Sequence, residues 1–275
     1  FEKRRTKNMY KQIIWDITNK CNLKCIHCYA TSKYNELSIR KDLDFEKSKI
    51  LLNNVKKLGY NHVLLLGGEP LIRDQLIEII EYARNLDIEI MINSNGIFMT
   101  RQMAETLVDL GVKQISISFQ GTCADIHDQI AGKGTFEKSV QGLKNLVDVK
   151  REKESKIIIG IQFTLTKITE NDCVNLIKFA LQNEVDGISI TFLDYSGRAY
   201  YNNDKLAQSW KEFIDVLELL MDSIVIYKNE LPEDFIFQIN SRKLLLTYLS
   251  HKYGIDIKTN ITGCLCPAGD KVTLI

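Results

Sequence analysis

Three cysteines lie close together in the segment Cys21-Asn22-Leu23-Lys24-Cys25-Ile26-His27-Cys28-Tyr29, with the spacing C-x3-C-x2-C. The run before it, residues 13–18, is mostly apolar, which predicts a buried strand. A loop that leaves the end of a strand can wrap three thiolates around one inorganic centre. Four thiolates fill a [4Fe–4S] cluster, so three leave one iron able to bind a small molecule.

Two other uses of these cysteines stay open at this point. A Cys3His zinc site would use Cys21, Cys25, Cys28 and His27. His27 adjoins Cys28, however, whereas structural zinc sites usually come as paired two-ligand arms. The thiols could also be unligated core residues. A disulfide is disfavoured because three cysteines cannot pair and no secretory signal is visible.

The composition limits the classes of function. The chain has 275 residues, 45% of them hydrophobic, and a formal net charge of +1, so nothing in it favours nucleic acid or a membrane surface as a partner. The seven cysteines are an odd number and three are clustered, which fits a reducing cytoplasm better than disulfides. The sequence begins at Phe1 rather than Met, so we expect further residues before it.

Apolar runs and amphipathic segments alternate along the chain. The predicted strands are residues 13–18, 62–66, 88–93, 114–119, 157–165 and 187–193, and the helices between them are 44–57, 76–85, 101–110, 135–150 and 171–183. Six βα repeats predict a parallel sheet with right-handed crossovers, and they are too few to close an eight-stranded barrel. We therefore expect an α/β fold whose functional residues follow the strand ends.

Unusual residues do follow those strands. The second is followed by Gly67-Gly68-Glu69-Pro70, in which the glycines permit close backbone approach and the carboxylate can accept bonds from an ammonium group. A plain turn before a helix is the alternative. Ser94 and Asn95 follow the third strand. Gln162, on the fifth, faces the barrel interior if Ile161 and Phe163 face the helices.

Together these motifs resemble the radical S-adenosylmethionine (SAM) superfamily. The resemblance implies an open (β/α)6 partial TIM-like barrel, with Cys21, Cys25 and Cys28 binding a [4Fe–4S] cluster that reductively cleaves SAM. It also implies that the segment 67–70 holds the SAM amino group and that Ser94 and Asn95 reach its ribose or carboxylate. His27 occupies a position that is usually aromatic, and Tyr29 follows the last cysteine; both are candidate SAM contacts.

The segments 116–121, 127–136 and 194–199 resemble the branch of that family which modifies peptides and proteins. The resemblance makes Ser118 a ribose ligand, places backbone near Leu193 against adenine, and lets Arg198 orient SAM or substrate. Gln120 stands where aspartate is usual and Ala131 where arginine is usual, and Lys133 is the candidate substitute for that arginine. Gln162 is either a further ribose ligand or a satisfied core amide.

The C-terminal part changes character. Residues 205–227 and 241–252 predict helices. The segment 263–269 carries Cys264 and Cys266 and resembles the start of a SPASM or twitch extension, which implies an auxiliary iron–sulfur cluster; buried thiols are the alternative. Cys123, after the fourth strand, is a possible hydrogen-atom donor.

We therefore expect a SAM-binding core at residues 13–199 between an N-terminal extension at 1–12 and a helical bridging region at 200–262, with a truncated cluster-binding domain at 263–275. The resemblance implies a cytoplasmic enzyme with a peptide or protein substrate and an electron donor such as flavodoxin or ferredoxin. The alternatives are a small-molecule radical enzyme of the molybdenum-cofactor or haem pathways, and an iron–sulfur or zinc scaffold protein.

Overall fold

The computed structural model describes residues 12–29, 41–239 and 273–274. Within them, the strands are β1 (Gln12–Thr18), β2 (His62–Gly67), β3 (Glu89–Ser94), β4 (Gln114–Phe119), β5 (Ile158–Leu165), β6 (Gly187–Phe192), β7 (Ile236–Ile239) and β8 (Thr273–Leu274). They form one sheet in the order β7-β6-β5-β4-β3-β2-β1-β8, and every neighbouring pair is parallel. This is the partial TIM-like α/β barrel that the sequence predicted.

Helices connect the strands. They are α1 (Phe45–Lys57), α2 (Leu76–Asn85), α3 (Arg101–Asp109), α4 (Ala124–Ala131), α5 (Thr135–Glu152), α6 (Leu176–Gln182), α7 (Gly197–Tyr201), α8 (Asn203–Leu206) and α9 (Trp210–Tyr227). Side-chain caps fix several helix starts: the carboxylate of Asp44 accepts a hydrogen bond from the Lys47 amide at 2.8 Å, and Ser209 and Glu212 form a capping box before α9. No helix of the described chain is long and apolar enough to cross a membrane.

The two faces of the strands have different chemistry. On β4 and β5, alternate residues such as Ile115, Ile117, Ile159 and Ile161 are fully buried and belong to the apolar core beneath the helices. The residues between them face the barrel interior, because successive side chains of a strand point to opposite faces. The core therefore lies between sheet and helices, and the concave face stays available for a site.

The predicted alternation of six strands with helices is confirmed. β7 was not predicted, because its four residues lie within the segment 200–262, which was expected to be helical; α9 fills only part of that segment. β7 extends the sheet in parallel beyond β6. The predicted helix at 241–252 lies outside the described residues.

Candidate functional site

The three cysteines lie on the loop that leaves β1, as expected, and we call residues 19–29 the cysteine loop. Cys21 is exposed, and Cys25 and Cys28 are partly buried. The backbone turns tightly between the last two, since the Cys28 amide donates to the Cys25 carbonyl at 3.3 Å. The loop thus places three thiols at the carboxyl edge of the sheet, where parallel α/β folds build their sites.

The glycine pair after β2 packs on this loop. The Gly68 amide donates to the Thr18 carbonyl at 2.7 Å, and the Glu69 amide donates to the Lys20 carbonyl at 2.8 Å. A Cβ on Gly68 would overlap the Lys20 carbonyl oxygen, and Gly67 has a φ of 114°. The two glycines are therefore required for a close approach between protein segments, whatever they contact in a ligand.

The Glu69 side chain is hydrogen-bonded to other residues of the protein. It is 1% exposed, and its carboxylate accepts hydrogen bonds from the Leu71 amide at 3.0 Å, the Ser94 hydroxyl at 2.8 Å and the Asn95 amide at 2.8 Å. Burial raises the pKa of this carboxyl, and the three hydrogen bonds oppose the rise. Its contact with the SAM amine stays a prediction, but Glu69 also caps the short 3-10 helix Pro70–Ile72 and ties the end of β2 to the end of β3.

Asn95 and Arg198 fasten the cysteine loop from two further sides. The Asn95 side-chain amide donates to the Asn22 side-chain oxygen at 2.8 Å. Arg198, in α7, donates from its backbone amide to the Cys28 carbonyl at 2.9 Å and from Nε to the Cys25 carbonyl at 2.7 Å. Segments that follow β3 and β6 therefore set the loop's conformation, together with the segment after β2.

Partial burial makes two of the three thiols harder to ionise. Burial raises the pKa of the Cys25 thiol to about 12, and the charges of Cys28 and Cys21 add to the rise, while the Arg198 guanidinium opposes it. Burial likewise raises the pKa of Cys21. Such thiols ionise when a bound metal replaces the proton, so the site suits metal ligation better than free thiolate chemistry.

His27 belongs to the cysteine loop, and its side chain is half-buried. Its Nδ1 atom is buried and has no hydrogen-bond partner among the described residues, and burial lowers its pKa to about 4, with further lowering by Arg198 and His127. The neighbouring Ile26 amide donates to the Ile130 carbonyl at 3.0 Å, so the loop also rests on α4. The lowered pKa makes His27 a neutral imidazole at neutral pH.

The geometry tests the two metal interpretations of the sequence. In the described part of the chain, no three His, Cys, Asp or Glu side chains are close enough together to hold one metal ion. A [4Fe–4S] cluster takes its thiolates on separate irons, so its ligands stand farther apart than those of a single zinc ion. Cys21, Cys25, Cys28 and His27 therefore do not form a preassembled Cys3His zinc site among the described residues.

The polar residues after β4 hold the backbone in place. The His127 ring accepts a hydrogen bond from the Gln120 amide at 3.0 Å through Nδ1. The Asp128 carboxylate accepts from the Gly134 and Phe136 amides at 2.5 and 2.9 Å. Gln120 is 4% exposed and its side-chain oxygen has no partner among the described residues. The His-Asp and Gly-Lys-Gly-Thr-Phe motifs therefore organise the start of α5, a structural role that spacing alone did not reveal.

The remaining sequence candidates occupy different environments. Ser118 and Gln162 are half-buried neighbours on β4 and β5, and the Gln162 amide donates to the Thr191 hydroxyl at 3.2 Å. Pro70 is buried, whereas Leu193 is half-buried. Tyr29, Cys123 and Lys133 are exposed, and Lys133 makes no ion pair with the described residues. Cys264 and Cys266 lie outside the described residues.

Comparisons with known proteins give the family. Residues 15–180 match the Radical SAM superfamily. The chain is 29% identical over 208 residues to Fe-coproporphyrin III synthase of Methanosarcina barkeri, covering 74% of this chain and 50% of that protein. It is 28% identical over 134 residues to the mycofactocin maturase MftC of Mycolicibacterium smegmatis, covering 49% and 33%. The chain thus spans half or less of the length of these curated relatives.

A solved structure has the same fold. SuiB of Streptococcus suis, bound to S-adenosylmethionine, superposes with a TM-score of 0.69 at 18% identity, covering 87% of this chain and 52% of that one. A second SuiB structure, bound to the precursor peptide SuiA, gives a TM-score of 0.68. The match of residues 15–180 covers more than half of the sequence, and the partial barrel with its cysteine loop agrees with it, so this chain belongs to the Radical SAM superfamily.

Proposed function

We propose that the protein binds a [4Fe–4S] cluster through Cys21, Cys25 and Cys28, cleaves SAM reductively and abstracts hydrogen from a peptide substrate. The observation that carries this proposal is the convergence on the cysteine loop. Backbone and side-chain bonds reach it from Glu69, Asn95 and Arg198, which follow three different strands. A loop held on several sides keeps its thiols and the neighbouring SAM-binding candidates in one rigid arrangement.

The cluster would supply the electron that splits SAM into methionine and a 5′-deoxyadenosyl radical. The chain's own residues would bind and orient the reactants. Backbone groups around Gly67 and Gly68 lie beside the cysteine loop and would receive the methionyl end of SAM. Ser118 and Gln162 are paired in register on β4 and β5, face the interior, and would hydrogen-bond the ribose.

The Glu69 carboxylate contributes mainly by holding this arrangement together. Its two oxygens already accept hydrogen bonds from three protein donors, so an ammonium group would bind the carboxylate alongside those donors. Recognition of the SAM carboxylate would fall to Arg198 rather than Lys133, because Arg198 lies at the cysteine loop and Lys133 carries no such contact.

The peptide substrate is supported by the relation to the mycofactocin maturase and by the fold shared with SuiB. The protein would need a one-electron donor such as flavodoxin or ferredoxin, and a reducing cytoplasm suits such chemistry. Cys264 and Cys266 would ligate an auxiliary cluster. The second candidate is a haem-pathway enzyme, which is favoured by the 29% identity to the Fe-coproporphyrin III synthase.

The test of SAM cleavage is anaerobic reconstitution with iron and sulfide, reduction with dithionite and measurement of 5′-deoxyadenosine by mass spectrometry. We expect product from the wild type and none when Cys21, Cys25 and Cys28 are all replaced by alanine. Cys173→Ala is the matched control, because this thiol lies in the core beside α6 and away from the loop. Product formation by the triple variant would refute the cluster assignment.

The substrate class needs a separate test. A short peptide encoded beside the gene, incubated with the enzyme, SAM and reductant, should change in mass, whereas iron coproporphyrin III should return unchanged. A modified porphyrin with an unmodified peptide would favour the haem-pathway alternative.

A further inference from the structure

The interior face of the barrel is mostly polar on β4 to β6, whereas β1 to β3 also place Ile14, Leu64, Leu66 and Met91 on it. Its members between the core residues include Asn93, Ser118, Gln162, Ser189, Thr191 and Gln238. Ser118, Gln162, Ser189 and Gln238 stand side by side across β4 to β7, because each is paired in register with the next. Closed TIM barrels fill this space with bulky branched side chains. Hydroxyls and amides instead indicate a surface that contacts water or a polar ligand.

One interior residue carries an unpaired charge. Ile13, Trp15 and Ile17 of β1 are buried in the core, so Asp16, which lies between two of them, faces the interior. Its carboxylate is exposed and makes no hydrogen bond or ion pair with the described residues. Partial burial raises the pKa of this carboxyl, because the nearby protein displaces water from it and no partner compensates for the loss.

The rest of that face offers no countercharge. On β1 to β7, its only other ionisable residues are His62 and Glu89, at the first positions of β2 and β3, and they pair with each other at 2.9 Å. No lysine or arginine of these strands faces the interior. Asp16 lies near the other end of the strands from this pair. It is aligned with Leu66 of β2 and lies close to Gly67. It therefore lies next to the segment where the SAM-binding candidates begin.

We propose that Asp16 binds a cationic group of the substrate, a guanidinium or ammonium, inside the barrel. The inference rests on the proposed function, because hydrogen abstraction requires the substrate to lie beside the SAM-binding candidates at this end of the barrel. A charge-assisted bond from a basic side chain to an enclosed carboxylate is among the strong polar contacts available to a protein. A substrate rich in carboxylates, such as a porphyrin with propionates, would meet a negative charge and no positive one on β1 to β7.

The test measures dissociation constants on the reconstituted enzyme saturated with SAM and kept unreduced. The probes are the methylamides of N-acetyl-arginine, N-acetyl-citrulline and N-acetyl-glutamate, titrated by NMR. Citrulline has nearly the shape of arginine but no charge, so the ratio of the two constants isolates the charge. We expect arginine to bind roughly 10-fold or more tighter than citrulline, and glutamate to bind more weakly than citrulline.

Asp16→Asn should reduce the ratio of arginine to citrulline affinity to about one, because the amide keeps the shape and removes the charge. Asp222→Asn is the control, since Asp222 is an exposed carboxylate on α9, and it should leave the ratio unchanged. A wild-type ratio near one, a ratio that survives Asp16→Asn, or tighter binding of glutamate than citrulline would overturn the proposal. SAM cleavage is assayed separately on the same wild-type enzyme, so its absence would refute the proposed function and not the Asp16 inference.

Discussion

The segment after β2 and the interior face of β1 each carry a carboxylate, and the protein treats them in opposite ways. Glu69 is buried and accepts three hydrogen bonds at 2.8 to 3.0 Å. Asp16, on the neighbouring strand, is exposed and accepts none from the described residues. The comparison separates two uses of an acidic side chain beside the cysteine loop: Glu69 holds protein segments together, and Asp16 is available to a ligand.

Replacing the buried carboxylate of Glu69 should have the largest effect on the free energy of unfolding. Glu69→Ala leaves the Leu71 and Asn95 amides and the Ser94 hydroxyl without their acceptor, so we expect it to lower the free energy of unfolding by about 2–5 kcal/mol. Urea denaturation measures this loss. SAM affinity should also fall, because the segment beside the cysteine loop is no longer fixed.

Glu78→Ala is the matched control for that experiment, because Glu78 is exposed on α2 and its loss should change stability by less than about 0.5 kcal/mol. A Glu69→Ala protein with wild-type stability and weakened SAM binding would mean that the carboxylate serves the ligand alone, as the sequence suggested.

Replacing one hydrogen-bond donor to Glu69 should have an intermediate effect on the free energy of unfolding. Ser94→Ala removes the hydroxyl that donates to Glu69 at 2.8 Å and accepts from the Gly96 amide at 2.9 Å, which should cost about 1–2 kcal/mol of stability. The double variant with Glu69→Ala should lose less than the sum of the single losses, since both remove the same bond. Strict additivity in the urea experiments would show that this bond contributes nothing.

Replacing Asp16 should have the smallest effect on the free energy of unfolding, and in the opposite direction. Its folded-state pKa lies above the unfolded value of 3.8, so the ionised form disfavours folding at neutral pH. Asp16→Asn should therefore leave stability unchanged or raise it, by less than about 1 kcal/mol because the group is exposed. The gain should fade as the pH falls through the raised pKa towards 3.8, where wild-type Asp16 becomes neutral. A loss of stability at pH 7 would show that Asp16 has a structural partner.

The fold was predictable where its signals are local. Apolar runs and helical periodicity identified the six strands β1 to β6. β7 was missed because a four-residue strand has little pattern of its own and forms by pairing with β6. α4 was missed because its residues 127–131 were interpreted only as part of a motif segment, and the fold shows that Ala124–Ala131 form a helix under the cysteine loop.

The sequence identified candidate site residues, and the structure shows contacts among them that the sequence did not predict. The spacing of Cys21, Cys25 and Cys28 and the glycines before Glu69 pointed to the carboxyl edge of the sheet, where the structure places them, and their roles as ligands stay predictions. Sequence reasoning assigned Glu69 to a ligand and did not notice Asp16. A signal for Asp16 was present, since it is a charge at an alternate position of an otherwise apolar strand.

The sequence by itself determined the order of the strands β1 to β6, most of the helices between them and the spacing of the three thiols, because periodicity and spacing act between residues that are near in the chain. Only the tertiary structure decided which segments hold the cysteine loop, which donors occupy Glu69 and which side of the barrel Asp16 faces. Those properties depend on contacts between residues far apart in sequence, such as Arg198 with Cys25 and Asn95 with Asn22. Burial and hydrogen bonding at such contacts are set by packing, which local patterns do not encode.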